Sequence, residues 1–470
     1  MPNRPYIFYE LTNSICSKCL RKTEAKVIFE NDQVFLVKHC RHHGREKVLI
    51  STDIEYYKKC REFLKRAEMP YRWNTSIQYG CPYDCGLCPD HEQHSCLALV
   101  EVTDQCNLQC PICYAESSPK KQKWRPLEEI EKMFDAIVKN EREPDIVQIS
   151  GGEPTIHPQF FEILEMAKSK PIKHIMVNTN GIKIAQDKKF AEKLARYMPG
   201  FEIYLQFDSF EKDALIDLRG VDLRAVREKA IEHLNEYNIS TTLVVTLKKG
   251  VNDQEVGKII KYGLSQQAVR GVTFQPVQIA GRTKNFNPAT DRLTLSEVRS
   301  MIIEQSEVFQ ADDIIPVPCH PDCLAMGYAL KLNGEVKPLT GMIDPHILLE
   351  GDQNTIVFEQ DEQLKHKVFE LFSLNHSPGS SAMSLKDLLC CLPKVAIPEN
   401  ISYNNVFRVI IMQFLDAYNF DVRSVKKSCV HIVHHDGRII PFDTYNLFYR
   451  NSLENRLKEI QTEMAMTVHE

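Results

Sequence analysis

The chain has 470 residues, a formal net charge of −5 at pH 7, 43% hydrophobic residues and 26% charged residues. This composition excludes a largely disordered chain, and the length predicts more than one domain. Because the chain as a whole is not basic, nucleic acid is not expected as a partner.

The chain contains no stretch that would carry it across or out of a membrane. Its first residues lack the apolar core of a secretion signal, and no run approaches the ~18 apolar residues of a membrane span. A cytoplasmic protein is therefore expected. Its sixteen cysteines then indicate metal binding and not disulfides.

The first cysteine group lies in residues 1–75. Cys16 and Cys19 form one closely spaced ligand pair, and Cys40 and His43 form a second. Two such pairs are typical of a metal ribbon, so an N-terminal ribbon-like metal-binding domain is predicted. Zinc or a single iron ion fits this ligand set.

The second group lies in residues 76–96, where Cys81, Cys85 and Cys88 have C-x3-C-x2-C spacing. Cys96 follows and could supply a fourth thiolate, which would close the set to other ligands. We interpret the four cysteines as an auxiliary [4Fe–4S] site, with zinc as the alternative.

The third group, Cys106, Cys110 and Cys113, repeats the C-x3-C-x2-C spacing directly after an apolar segment, Leu97 to Val102, that is predicted to be a buried strand. Three thiolates can hold three irons of a [4Fe–4S] cluster and leave the fourth open to a small molecule. A zinc loop, or a cluster completed by a distant cysteine, is the alternative.

Residues 97–310 alternate strand and helix patterns, which predicts parallel βα units. The fold class is therefore α/β, a partial (β/α)6 TIM-type barrel, whose active site is expected at the C-terminal strand ends. The predicted strands are 97–103, 145–150, 174–180, 201–208, 240–247 and 271–277. The predicted helices are 127–140, 158–169, 187–198, 223–238, 255–264 and 294–309.

Residues 311–470 are predicted to form a C-terminal α+β domain with a second auxiliary cluster on Cys319, Cys323 and Cys429. The fourth ligand is left open among Cys390, Cys391 and none. The patterns predict helices over 362–372 and 404–418, a loop at 377–381, and short strands over 429–434 and 438–441.

The motifs together resemble the radical S-adenosylmethionine (SAM) superfamily. The strongest are CNLQCPIC, at 106–113, and the Gly151-Gly152-Glu153-Pro154 element after the second barrel strand. The full order, from CxxC…CxxHG through CHPxC to KSCVH, resembles a multi-cluster family that includes the archaeal tetraether lipid synthase and carries an older label of dihydropterin methylase.

This resemblance implies that the Cys106 set binds the cluster that cleaves SAM to a 5′-deoxyadenosyl radical. It also implies a set of SAM contacts at strand ends: Gly151, Gly152 and Glu153 for the amino group, Asn178 and Asn180, Gln206 and Asp208 for ribose or carboxylate, Arg219 for the carboxylate, and Gln275 and Gln278 near adenine. The alternatives are turn-forming asparagines and a surface arginine.

Three functions remain open from the sequence. The first is a radical SAM enzyme that attacks an unactivated carbon, for example to join lipid chains by C–C bonds. The second is a radical SAM methylase of a dihydropterin or related ring, with a reduced folate as the methyl source. The third is an iron–sulfur electron carrier without SAM chemistry. An electron donor such as flavodoxin or ferredoxin is expected as a partner, and a lipid substrate would allow peripheral membrane contact.

Overall fold

The computed structural model describes residues 4–66, 68–332, 335–342, 348, 349, 356, 405–450 and 453–467. Its N-terminal part is a four-stranded antiparallel sheet in the order β1-β2-β3-β4. The sheet buries one face, including Val27 and Leu36, against Tyr57 of a helix whose N-terminus is capped by Asp53. The predicted ribbon is therefore present. Its elements are β1 (Ile7–Ile15), β2 (Lys22–Glu30), β3 (Gln33–Cys40), β4 (Gly44–Ser51) and α1 (Ile54–Glu62).

A partial barrel of eight parallel strands forms the centre of the molecule. All six strands predicted for residues 97–310 are present, and one C-terminal strand is added at each edge. Their residues are nearly all buried, as expected for parallel strands covered on both faces. In spatial order the strands are β17 (Val430–Val433), β5 (Leu97–Glu101), β7 (Ile146–Ser150), β8 (His174–Thr179), β9 (Phe201–Gln206), β10 (Thr241–Leu247), β11 (Val269–Pro276) and β16 (Val406–Met412).

Amphipathic helices follow these strands and bury their apolar sides against the outer face of the sheet. The six predicted helices are all found, and the short helices α4 and α6 are additional. The helices are α2 (Leu127–Glu141), α3 (Phe160–Lys168), α4 (Ile182–Gln186), α5 (Lys188–Ala195), α6 (Lys212–Arg219), α7 (Arg224–Glu236), α8 (Val256–Ser265) and α9 (Leu295–Gln305).

The predicted helix over residues 404–418 is wrong, because Val406–Met412 is strand β16. This run pairs with β11 on one side and with an antiparallel strand on the other, so it is apolar on both faces and has no helical period. Arg408 does not interrupt it, since its guanidinium donates to Glu202 at 2.6 and 2.7 Å inside the barrel. The predicted helix over 362–372, the predicted loop over 377–381, Cys390 and Cys391 lie outside the described residues.

The remaining elements extend or brace the sheet. Strands from residues 311–470 pair at both of its edges, and the two strands predicted over 429–434 and 438–441 are confirmed. The added elements are β6 (Ile112–Cys113), β12 (Arg282–Thr283), β13 (Ile315–Pro316), β14 (Leu324–Leu332), β15 (Glu335–Pro338), β18 (Ile439–Pro441), α10 (Val422–Lys426), α11 (Leu453–Thr467), a helical segment at Phe442–Thr444 that continues as a π-helical turn at Tyr445–Tyr449, and 3-10 turns at Pro154–Ile156, Asp253–Glu255 and Thr340–Met342. Among the described residues, no helix is both long and apolar enough to span a bilayer.

Candidate active site

The loop that carries Cys106, Cys110 and Cys113 follows β5 at the C-terminal edge of the parallel strands. Two contacts hold it: β6 pairs with β12, and Arg282 donates to the carbonyl oxygens of Cys110 at 2.5 Å and Ser117 at 2.8 Å. Burial first, and then Glu153 and the other two cysteines, raise the pKa of Cys106 to about 12. Bound iron would favour the deprotonated form of these cysteines, because a thiolate and not a thiol is the metal ligand. The set therefore fits three ligands of a [4Fe–4S] cluster.

A cavity opens beside this loop, and most of the residues predicted to bind SAM line it. Except for Arg219, the last residue of a helix, they come from the ends of five different strands, as expected for a parallel barrel. The predicted residues at the cavity wall are Cys106, Cys110, Cys113, Gly151, Gly152, Asn178, Asn180, Gln206, Arg219, Gln275 and Gln278.

The two glycines allow the GGEP turn to lie directly on the backbone of the cysteine loop. Gly152 N donates to Thr103 O at 2.7 Å, and Glu153 N donates to Gln105 O at 2.9 Å. A Cβ at Gly152 would lie 2.0 Å from Gln105 O, and one at Gly151 would lie 2.3 Å from Thr103 O. An ammonium group has only donors, so at this wall it would bind carbonyl oxygens of the turn.

Glu153 lies outside the cavity wall, and its carboxylate is bound within the protein, so its contact with the SAM amino group stays a prediction. Its side chain is buried and accepts hydrogen bonds from Thr155 N at 3.1 Å, Thr155 Oγ1 at 2.6 Å, Thr179 Oγ1 at 2.7 Å and Asn180 N at 2.8 Å. A carboxylate with four donors has little capacity left for a ligand. Glu153 therefore fixes the end of β8 relative to the GGEP turn.

Asp208 also differs from its predicted role, because it binds Arg219 and not the cavity. Arg219 donates to its two carboxylate oxygens at 2.8 and 2.5 Å, and to Thr246 Oγ1 at 2.7 Å. Burial alone would raise the pKa of Asp208, but Arg219 holds it below its usual value. Asp208 thus orients the guanidinium of Arg219, which lies at the cavity wall where a carboxylate could pair with it.

Two amide oxygens of the wall are buried without a hydrogen-bond partner among the described residues, Asn178 Oδ1 and Gln278 Oε1. Buried acceptors are normally satisfied, so these two fit donors of a bound molecule. Asn180 is different, since its Nδ2 donates to Asn107 Oδ1 at 2.6 Å and ties β8 to the cysteine loop. The unpartnered oxygens make Asn178 and Gln278 the stronger contact candidates.

Sequence reasoning missed the inner wall of the cavity, formed in part by Gln148, Tyr114, Tyr204, Phe414 and Phe442. The phenylalanine rings stack with centroids 4.0 Å apart, and Tyr114 contacts Phe442 at 5.0 Å. Gln148 could have been found as the one polar side chain in the middle of Ile146–Ser150. The phenylalanines arrive from the C-terminal region, and no local pattern indicates that.

The structure groups Cys96 with Cys319 and Cys429, whose thiols lie within 4.8 Å of one another. The prediction that Cys96 completes the Cys81 set is therefore corrected. The reason is strand register, because Leu97 pairs with Val430 and this places the preceding cysteines side by side. The Cys319 thiol first, then burial and the nearby Cys323 thiol, raise the pKa of Cys429. Cys323 Sγ also lies 3.5 Å from Ser424 Oγ. These four buried thiols could close a cluster without Cys390 or Cys391.

Cys81, Cys85 and Cys88 remain together as a three-cysteine set. The Cys81 and Cys85 thiols are hydrogen-bonded, which raises the pKa of Cys85. Tyr449 Oη accepts from Cys85 N at 2.8 Å and donates to the carbonyl of Tyr83 at 2.9 Å. The loop is thereby fixed to the C-terminal segment, and its three thiols could hold an auxiliary cluster.

The ribbon ligands converge as predicted. His43 Nδ1 lies 3.4 Å from Cys16 Sγ and 3.6 Å from Cys40 Sγ, and Cys19 Sγ lies 3.8 Å from Cys40 Sγ. The three cysteines are buried and His43 is exposed. Four convergent ligands of this kind suit a tetrahedral metal.

Comparison with known proteins agrees with this site. The family model of the radical SAM superfamily matches residues 100–263, and that of the HMPTM N-terminal zinc ribbon domain matches residues 8–52. The chain is 32% identical, over 95% of both chains, to the 7,8-dihydro-6-hydroxymethylpterin dimethyltransferase of Methanocaldococcus jannaschii. It is 24% identical to the GTP 3′,8-cyclase of Chlorobaculum tepidum over 38% of this chain and 53% of that one. The structure of Streptococcus suis SuiB bound to SAM is 18% identical, with a TM-score of 0.35 over 41% of this chain and 43% of that one.

Proposed function

Because the chain belongs to the radical SAM superfamily and to the family of the dihydropterin dimethyltransferase, we propose that it methylates a carbon of a dihydropterin or related ring, with a reduced folate as the methyl source. When bound, the [4Fe–4S] cluster supplies one electron to SAM, which yields methionine and a 5′-deoxyadenosyl radical. Cys106, Cys110 and Cys113 hold that cluster. Carbonyl oxygens of the GGEP turn and the guanidinium of Arg219 orient the amino and carboxylate groups of SAM.

The inner wall of the cavity supports a pterin as the substrate. Gln148, Gln275 and Tyr204 lie there beside Tyr114 and Phe442, and Gln275 Nε2 donates to Tyr204 Oη at 3.1 Å. A pterin has hydrogen-bond donors and acceptors along its edges and flat faces, and amide and aromatic side chains suit these two features. Such a wall supports a small polar ring as the substrate.

A second candidate is radical C–C coupling of lipid chains. It is supported by the apolar side chains of the same cavity, Leu97, Leu99, Val244, Met412 and Val430, which could contact an acyl or isoprenoid carbon. Under either candidate the Cys81 and Cys96 sets act as one or two auxiliary clusters. A small electron-transfer protein such as flavodoxin or ferredoxin supplies the electron.

The test is anaerobic. The reconstituted protein is reduced, given SAM and assayed for 5′-deoxyadenosine, with Cys106→Ala/Cys110→Ala/Cys113→Ala and the matched control Cys60→Ala alongside. Cys60 is buried next to Tyr56 and belongs to none of the ligand sets. Wild type and the control should form the product, and the triple variant should not.

Deuterated substrates then separate the two candidates. Transfer of deuterium from a dihydropterin to 5′-deoxyadenosine supports methylation, and transfer from a lipid chain supports coupling. Absence of product from a wild-type protein with its full iron and sulfide, in the presence of either substrate, would favour an iron–sulfur electron carrier instead.

A further inference from the structure

The two metal-binding knuckles of the ribbon, residues 16–22 and 39–45, are strongly cationic. Together they contain no Asp or Glu, although the whole chain carries a net charge of −5. We call this surface the cationic knuckles. Its five cationic residues are Lys18, Arg21, Lys22, Arg41 and Arg45.

Most of this charge faces solvent. Lys18, Lys22, Arg41 and Arg45 are exposed, and within the described part of the chain none of them has a carboxylate oxygen within 4.0 Å. Arg21 differs, because it pairs with Glu463 at 2.6 Å. Such a surface attracts acidic proteins over a distance of about 10 Å at ordinary ionic strength.

The cationic knuckles adjoin the Cys81 set. Tyr83, in the loop between Cys81 and Cys85, accepts a hydrogen bond from Lys22 N at 2.5 Å and donates one to Leu20 O at 3.1 Å. Leu20 directly follows the ribbon ligand Cys19. Cys81 is the one member of its set that is only partly buried.

The helical segment 442–449 then links the Cys81 set to the candidate active site. At one end Tyr449 Oη accepts from Cys85 N at 2.8 Å. At the other end the Phe442 ring lines the cavity and contacts Tyr114, the residue after Cys113, at 5.0 Å. Eight helical residues span about 12 Å, so the two cysteine loops are joined by a short, well-packed path.

We propose that the cationic knuckles dock a small acidic electron-transfer protein, of the flavodoxin or ferredoxin class, and that its electron enters at the Cys81 set. This inference rests on the proposed function, which needs one electron for each SAM cleaved. The reduced carrier loses one electron, the cluster held by Cys81, Cys85 and Cys88 gains it and passes it on, and no proton or chemical group is transferred.

The test measures binding of a purified oxidised flavodoxin to the reconstituted protein by calorimetry at low ionic strength. The variant Arg41→Glu/Arg45→Glu is compared with Lys132→Glu/Lys189→Glu, whose lysines are exposed on α2 and α5 and which changes the net charge by the same amount. The knuckle variant should bind about 10-fold more weakly or worse, and the control should bind like wild type. Zinc and iron contents should stay unchanged in both.

Reduction separates this inference from the proposed function. With dithionite, which needs no docking, both variants should form 5′-deoxyadenosine at the wild-type rate; with reduced flavodoxin only the knuckle variant should be slow. If wild type forms none with dithionite, the proposed function fails while the binding comparison still stands. Equal binding of flavodoxin by both variants would overturn the docking site. Binding to anionic phospholipid vesicles is measured in parallel. A knuckle variant that loses vesicle binding but still binds flavodoxin would also overturn the docking site.

Discussion

Strand β5 has a cysteine set near each end, and the two sets differ in what surrounds them. Beyond its C-terminal end, Cys106, Cys110 and Cys113 face a cavity with glycines, a guanidinium and amide oxygens that have no partner among the described residues. At its N-terminal end, Cys96 meets Cys319 and Cys429, all buried. Five strand residues separate the ends, roughly 16 Å. Three ligands beside a cavity suit a cluster that binds a small molecule, whereas a closed and buried set suits storage or transfer of an electron.

Removing one ligand from the closed set should have the largest effect. Cys96→Ser is expected to lower the iron content by about four atoms for each chain, since a [4Fe–4S] cluster needs its thiolates. The Cys106 set should keep its cluster. Iron analysis and Mössbauer spectra check this, with Cys60→Ser as the matched control. A Cys96→Ser protein with full iron content would show that Cys96 is a structural thiol and not a cluster ligand.

Breaking the buried ion pair of Arg219 and Asp208, at the cavity end of the barrel, should have the next largest effect. Among the described residues, Arg219→Ala leaves the buried Asp208 with the more distant cation Arg227, at 3.7 Å, and with a hydrogen bond from Thr246 N at 3.2 Å. Breaking a buried pair in this way costs about 3–5 kcal/mol of unfolding free energy. Denaturant unfolding measures it, and SAM affinity should fall as well. The exposed pair of Arg224 and Asp222, at 2.8 Å, supplies the control, because Arg224→Ala should leave both quantities unchanged.

A substitution at the contact between the GGEP turn and the cysteine loop should lower the unfolding free energy by a smaller amount. In Gly152→Ala the new methyl group would meet Gln105 O, and such overpacking costs about 1–3 kcal/mol. SAM binding should weaken because the loop shifts. Gly250→Ala is the control, since a Cβ there has nothing within 4 Å, and its backbone strain should leave SAM binding intact. Equal SAM binding by the two variants would show that the loop tolerates displacement.

The buried aspartates near the two ends of β5 have different surroundings, and this difference predicts how the free energy of unfolding changes with pH. Asp208 has Arg219 beside it, whereas burial raises the pKa of Asp443, near Ser428 and Cys429, from 3.8 to about 7. The folded state therefore binds this proton more tightly than the unfolded state does. The free energy of unfolding should decrease as pH rises from about 4 to 7 and then level off. A negatively charged cluster at Cys429 would shift the window upward.

Asp443→Asn should remove this decrease. Anaerobic urea unfolding between about pH 5.5 and 8 compares it with wild type, and the slope at stake is at most ~1.4 kcal/mol per pH unit. Asp208→Asn is the contrasting variant, because it should destabilise across the whole range. A wild-type protein whose stability does not change over this window would contradict the assignment to Asp443.

The features that follow from short stretches of sequence were predictable. The parallel strands of residues 97–310 are continuous apolar runs, and active-site side chains gather at the C-terminal ends of such strands. For this reason the cysteine loop, Gly151 and Gly152, and most of the predicted SAM contacts lie at the cavity as expected. The ribbon ligands were found because each pair is close in sequence.

The features that depend on distant pairing were not predictable. Cys96 was assigned to the wrong set because its partners follow from the register of β5 and β17, strands far apart in the chain. Glu153 and Asp208 lie at the expected strand ends, but their hydrogen-bond partners, Asn180 and Arg219, come from other elements. The helix predicted over β16 is wrong because a strand that is buried on both faces does not alternate apolar and polar residues, so its sequence has no strand periodicity.

Mössbauer spectroscopy of 57Fe-reconstituted protein, with and without SAM, identifies the cluster that binds SAM. SAM should shift the signal of one iron of one cluster, Cys106→Ala/Cys110→Ala/Cys113→Ala should abolish the shift, and Cys96→Ser should retain it. A shift that survives loss of the Cys106 set, or that disappears with Cys96, would show that SAM binds at another cluster.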